Sequence, residues 1–414
     1  MSLTQQQQLE DVYLMKTFAR KPLELVSGKG MKAYDDEGKE YLDFIGGIGA
    51  DSLGHCHPAV VKAIQDQAQT LIHVSNYYYI EDRGQVAQKV SDMLNECVEP
   101  AEQKPWRSFF ANSGAEANEC AIKLARLYAK RKHMAAGGTP ETAPRVIVVL
   151  NRSFHGRTLA TLAATAQPVK QELFQPLPDG FVRADINDVP ALEQLFDQMG
   201  KQICAVMLEV IQGESGVHPN SQEFLQAVRR LTQENGACMI CDEVQCGIYR
   251  CGTYPFAFQH YGVTPDIVSI AKGIASGFPT GMCAARDEVA LAYEPGDHGS
   301  TFGGSNLAIA AINATLDTIQ SEGIAASVTR VGEYMRQKLS EMPQFKEVRG
   351  LGLMLAVDLA DSVEMSAPEI VAEGINQRLI LNYTGPKTLR FLPPLVCTTS
   401  DVDALIEKLS AYIK

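Results

Sequence analysis

Three short stretches of this chain carry residue types that do chemistry. Residues 238–251 read CMICDEVQCGIYRC, four cysteines in fourteen positions with two acidic residues among them. Residues 270–277 read IAKGIASG, one lysine after an apolar run and between small residues. Residues 112–115 read NSGA, a small turn that leads into EANECAIKLARLYAK.

The cysteines invite a metal or redox reading, and strand geometry argues against it. In a strand, Cys238, Ile240 and Asp242 share one face, and Met239, Cys241 and Glu243 share the other. The CxxC thiols then point apart, whereas a zinc CxxC sits on a tight turn where both thiolates converge. A redox CxxC opens a helix, not a strand. His55-Cys56-His57 has the same defect, because neighbours on an extended chain face opposite ways. No metal ligand set is expected.

What stands out instead is Asp242-Glu243 closing an apolar strand, since a buried carboxylate needs a partner. If Asp242 turns into a site, that site must hold a cation. Lys272, at a strand end inside a loop of small residues, has the setting that desolvates an amine and makes it a nucleophile toward carbonyls. The Asn112–Ala115 turn opens a helix whose N–H groups and dipole suit a phosphate. Each has an ordinary alternative: a solvated strand-end lysine, or a helix simply capped by Ser113. Together they are a phosphate cradle, an imine-forming lysine and a carboxylate for a protonated ring nitrogen. Those are the parts that pyridoxal phosphate requires.

These residues need elements to position them. Apolar runs at 107–111, 145–150, 205–210, 238–244 and 266–270 alternate with amphipathic stretches and end in Gly and polar residues. This predicts an α/β fold on a mostly parallel sheet, with ligands at the C-terminal strand ends. After about residue 305 the pattern predicts helices near 303–320 and 323–341, a strand in EVRGLGLMLAVDL and a helix near 367–378. Short strands at LILNY and LRFLPPL and a closing helix near 401–413 follow. The expected division is residues 1–65 as a segment packing with a small C-terminal unit, 66–310 as the large domain and 311–414 as the small α+β domain.

A formal net charge of −12 argues against a nucleic-acid surface or an anionic membrane as partner, since both need clustered Lys and Arg. No apolar run approaches the roughly 20 residues of a membrane-spanning helix. The opening MSLTQQQQLEDVYLMK has no basic region followed by an apolar core, so no secretory signal is expected. Ten cysteines in that context fit a reducing cytoplasm. Cys56, Cys97, Cys120, Cys204, Cys283 and Cys397 are expected to be reduced and mostly buried as small hydrophobes.

Nine segments together carry a resemblance: LGHCHP (53–58), NSGAEANECAIK (112–123), SFHGRT (153–158), QGESG (212–216), DEVQ (242–245), TPDIVSIAKG (264–273), GSTFGG (299–304), RGLGLM (349–354) and LRFLPPL (389–395). With these the chain closely resembles the class III (subgroup II, ω-amino) pyridoxal-phosphate aminotransferases over nearly its whole length. HVSNYYY (73–79) and LILNYTGP (379–386) look most like N-acetylornithine aminotransferases. The resemblance implies fold type I, with a seven-stranded large domain and a small α+β domain. It also implies pyridoxal 5′-phosphate held as a covalent aldimine on Lys272, with Asp242 on the ring nitrogen. Ser113, Gly114, Ala115, Phe154, Glu243, Val244, Gln245 and Thr301 complete the implied cofactor set, Thr301 reaching the partner subunit's phosphate across a homodimer. Arg157, Ser300, Glu214 and Arg390 are the implied substrate residues. The implied activity moves the δ-amino group of N2-acetylornithine to 2-oxoglutarate, in arginine biosynthesis, the alternatives being the same chemistry on succinylornithine, ornithine, 4-aminobutyrate or N-succinyl-diaminopimelate. One departure is local: after DEVQ, relatives commonly read a Gly-Arg-Thr-Gly run, and this chain reads CGIYRCG.

Overall fold

Runs such as VIVVL and ICAVML are apolar on both sides of the strand, the pattern of a sheet covered on both faces. In the computed structural model, which describes residues 3–413, these runs join one seven-stranded sheet. Met1, Ser2 and Lys414, the ends of the terminal segments divided above, lie outside the described residues. The strand order is Trp106–Ala111, Gly281–Arg286, Ile267–Ala271, Cys238–Asp242, Ile203–Leu208, Val146–Leu150, Phe181–Ala184. Six strands run one way, and Gly281–Arg286 opposes its two neighbours.

Alternation within Cys238–Asp242 decides where its thiols go. Cys238 and Ile240 join the layer formed with Ala121, Leu124 and Ala125 of the helix Gly114–Ala135. Met239 and Cys241 join the opposite layer, with Phe224, Leu225 and Val228 of the helix Gln222–Asn235. The pair therefore sits on two sides of the sheet, and burial pushes both thiols well above their ordinary pKa. Cys56 and Cys97 differ from expectation: both are exposed, lying in loops outside either layer.

The C-terminal part corrects one expectation. EVRGLGLMLAVDL is not one strand but an antiparallel pair, Phe345–Leu351 and Met354–Leu359. Gly352 makes the reversal with φ 56, and a Cβ there would lie 2.5 Å from the backbone of Cys251. Asn382–Gly385 and Thr388–Phe391 complete this four-stranded sheet. A second small sheet joins the N-terminal segment to the C-terminal one: Glu40–Asp43 pairs in parallel with Leu379–Ile380.

The loop CGIYRCG is where the large sheet meets the C-terminal hairpin. Ile248 and Tyr249 both adopt left-handed backbone, φ 54 and 58, a strained state for such side chains. Arg250 fixes the loop. It is 2 % exposed, donates to the Leu353 carbonyl at 3.2 Å and to the Pro393 carbonyl, and its own carbonyl accepts from Leu353 N–H at 3.0 Å.

Candidate active site

The C-terminal ends of the parallel strands enclose a cavity of about 380 Å³, on the side where open α/β sheets bind ligands. Asp242, the last residue of its strand, is 3 % exposed and faces this space. Its Oδ2 accepts from Asn118 Nδ2 at 2.7 Å and lies 2.8 Å from His155 Nδ1, and Oδ1 accepts from Val244 N–H at 3.1 Å. These bonds fix the carboxylate while keeping its charge inside the site. His155 Nε2 is buried with no partner among the described residues.

Lys272 follows the strand Ile267–Ala271 with φ 48, a left-handed conformation that a lysine holds only when its surroundings impose it. The N-terminal segment does so. Ser52 Oγ donates to the Gly273 carbonyl at 2.6 Å and Leu53 N–H donates to Ser276 Oγ at 3.0 Å, across 221 and 223 residues of chain. Lys272 lines the cavity, and its Nζ makes no hydrogen bond or ion pair among the described residues. Burial lowers its pKa against the opposing pull of Glu214 and Asp242.

At the opposite end, Asn112, Ser113, Gly114 and Ala115 form the mouth of a helix N-terminus. Ser113 Oγ caps the helix by accepting from Glu116 N–H at 3.2 Å. A Cβ on Gly114 would sit 2.6 Å from Val244 Cγ1, so glycine lets this turn close onto the strand end that carries Asp242.

Beside the cavity lies a buried polar cluster. Arg390, 2 % exposed, donates through one nitrogen to Glu214 Oε1 at 2.6 Å, to the Gly213 carbonyl at 3.2 Å and to Gln245 Oε1 at 3.2 Å. Gln245 Nε2 donates back to Glu214 Oε1 at 3.2 Å. Burial pushes the Glu214 carboxyl up, but Arg390, helped by Lys272 and Gln245, outweighs it and holds the pKa below the usual value. The pair is thus charged, while Arg390 Nε is buried without a partner among the described residues.

Phe154 lines the cavity wall, and Arg157 sits exposed at its rim with its guanidinium carbon 5.7 Å from the Phe154 ring centroid. Glu209 underlies this wall: Oε1 accepts from Phe154 N–H at 2.8 Å and Oε2 from Gly213 N–H at 3.2 Å. Its carboxyl is pushed up to about 7 by burial and, in part, by Asp242, with His155 acting the other way.

A family model described as class III aminotransferase matches residues 16–413. The chain belongs to the class III aminotransferases. It is 44% identical over 404 residues to the acetylornithine aminotransferase of Caldanaerobacter subterraneus subsp. tengcongensis, covering 96% of each chain. The crystal structure of acetylornithine aminotransferase from Elizabethkingia anophelis superposes with TM-score 0.83 at 29% identity, over 100% of this chain and 99% of that one. The ornithine aminotransferase of Toxoplasma gondii superposes with TM-score 0.88 at 28% identity, over 99% and 96%. The fold is therefore fold type I, and the cofactor of this aminotransferase is pyridoxal 5′-phosphate.

This chain's own geometry fits that group. A phosphate-suited helix N-terminus, a partnerless lysine ammonium and a buried carboxylate converge on one cavity. Gly114, Ala115 and Ser113 would hold the phosphate, Asp242 the ring nitrogen, and Lys272 the carbonyl carbon. Bound there, the cofactor supplies an electron sink for a carbanion at the amine-bearing carbon.

Not every residue expected from the sequence lines this cavity. Glu243 is a correction: its carboxylate accepts from Ala257 and Phe258 N–H at 2.9 and 3.0 Å and from Cys246 Sγ at 3.3 Å, away from the cavity. Strand alternation is the reason, because Asp242 faces the site. Ser300 lies behind the phosphate turn, its Oγ accepting from Asn112 Nδ2 at 3.1 Å, and Thr301 is exposed outside its own chain's cavity. Among the lining residues not anticipated are Asn118, His155 and Glu209. Asn118 had a usable signal, a polar residue on the Ala117/Ala121 face of an otherwise apolar helix stripe.

Proposed function

We propose that this aminotransferase moves the δ-amino group of N2-acetylornithine to 2-oxoglutarate, giving N-acetyl-L-glutamate 5-semialdehyde and glutamate. The observation that carries the substrate choice is the likeness to an acetylornithine aminotransferase at 44% identity over nearly the full chain. Lys272 Nζ, whose pKa burial lowers, takes the proton from the substrate carbon bearing the amine. Asp242 faces the position of a positive ring nitrogen. Arg157 takes the substrate's distal carboxylate at the rim, where a planar fork is needed.

The Arg390–Glu214 pair lets one site serve two substrates. With Glu214 at 2.6 Å the guanidinium is neutralised, which suits an ω-amine donor with no carboxylate near the reacting carbon. An oxo acid brings an α-carboxylate that competes for the same fork. Glu214→Ala is therefore expected to lower kcat/KM for N-acetylornithine about tenfold while raising it for glutamate used as donor. Equal changes for both donors would contradict this role. Thr301 and the neighbouring Phe302 are exposed, which supports a homodimer in which Thr301 reaches the phosphate in the partner subunit.

Steady-state kcat/KM across N-acetylornithine, N-succinylornithine, ornithine, 4-aminobutyrate and N-succinyl-diaminopimelate tests the assignment, with N-acetylornithine expected highest. A preference for ornithine or 4-aminobutyrate removes it.

A further inference from the structure

Arg157 is not alone beside Phe154. Lys170, on the short helix Pro168–Gln171, places its Nζ 5.1 Å from the centroid of the same Phe154 ring that the Arg157 guanidinium approaches to 5.7 Å. The stem is half-buried, and Gln167 Oε1 accepts from the ammonium and orients it. The charged groups that act on it are those of the site: Glu214 and Glu209 favour its charge, while Arg157 and Arg390 oppose it. Burial, the largest influence, lowers its pKa.

Two like charges held against one ring repel each other. Each gains a cation–π contact with the ring, and their mutual repulsion works against that gain. An anion between the two removes that repulsion and gives each a charge-assisted hydrogen bond. Arg157 is 5.7 Å from the ring, exposed and without an ion-pair partner among the described residues, which leaves its fork open toward such an anion.

We propose that Lys170 is a specificity-determining residue, completing with Arg157 a two-cation clamp for the distal carboxylate of both the amine donor and the oxo acid. The clamp rests on the functional reading above only for the donor's name. Any donor or acceptor with a carboxylate at the far end of its chain meets the same two charges. Lys170 touches neither Lys272 nor Asp242, so its contribution falls on binding rather than on the proton transfer.

Steady-state kinetics of Lys170→Gln, Lys170→Ala and Lys170→Arg decide the point, varying 2-oxoglutarate and N-acetylornithine in turn. The Gln and Ala variants are expected to raise KM for both on the order of tenfold, with kcat within about twofold, and Arg to restore most of the loss. Val169→Ala, at a neighbouring exposed position, is expected to match the wild type. Unchanged KM in Lys170→Gln, a loss carried by kcat, or failure of Arg to rescue overturns the clamp. The 2-oxoglutarate arm does not depend on which amine is the natural donor. A wild-type preference for another donor therefore overturns the functional reading and leaves this one standing.

Discussion

Lys272→Ala is expected to lower turnover by roughly 10²–10⁴-fold or more, the range assigned to a positioned proton-transfer group, with little loss of folded protein. The two halves of that expectation have separate causes. Structurally, the ammonium has no hydrogen-bond or ion-pair partner among the described residues, so its removal orphans nothing. The loop that carries it is held by backbone and hydroxyl contacts at Ser52–Gly273 and Leu53–Ser276, which an alanine leaves intact. Chemically, the amine's lowered pKa comes from its burial in this cavity, and no other amine shares that position. The sign of the pH effect follows. A lowered pKa leaves the neutral amine populated to lower pH than for an ordinary lysine, and activity falls as pH drops through the folded value. Wild-type protein should carry the cofactor's visible absorbance and retain the cofactor covalently after borohydride reduction, as read by intact mass. Lys272→Ala should retain none after the same treatment. Covalent retention in the variant, or more than about a tenth of wild-type turnover, contradicts the role given to this lysine.

Much of this arrangement can be read in the sequence because charge at the end of an apolar strand is conspicuous. Asp242 and Lys272 each end a run whose other residues are buried on both faces, so their setting is visible in one dimension. The sheet is legible for the same reason, since VIVVL and ICAVML have no polar side to present to water. The partners of Asp242 are not legible in that way. Asn118 and His155 reach it across 124 and 87 residues of chain, and nothing in either segment names the carboxylate they will meet. Glu209 is hidden differently: its two bonds go to backbone N–H groups, which leave no trace in residue identity. The misread strand at 345–359 turns on Gly352, whose reversal is set by close approach to Cys251 rather than by local pattern. Glu243 shows the opposite error. The alternation that sends Asp242 to the site sends its neighbour away from it, although the likeness of DEVQ to its family implies both there.

Asp242 and Cys241 make the sharper contrast, because they are adjacent and differ in which side of one strand they occupy. Asp242→Asn keeps the shape but removes the charge, and it presents an amide NH₂ toward a ring of donors: Asn118 Nδ2, Val244 N–H and the His155 ring. At least one of these loses its acceptor, and a positive ring nitrogen loses its counter-charge. The expected cost in kcat is about 10²–10³-fold, the scale for deleting one preorganised electrostatic contact. The cofactor's absorbance should shift because the ring nitrogen is no longer held protonated. Cys241→Ser changes the strand by one position and one atom, in the apolar layer that holds Phe224 and Val228. Burying its hydroxyl there should lower stability by about 1–3 kcal/mol in urea unfolding, while the specific activity of the folded fraction stays near wild type. Fold and chemistry thus separate at neighbouring residues: Asp242→Asn should lose turnover out of proportion to stability, and Cys241→Ser the reverse. A stoichiometric metal bound by the wild type and lost in Cys241→Ser, or matched activity losses in the two variants, would mean that the cysteines carry the chemistry. The alternation of the strand says they do not, because the residue that faces the cavity is the carboxylate.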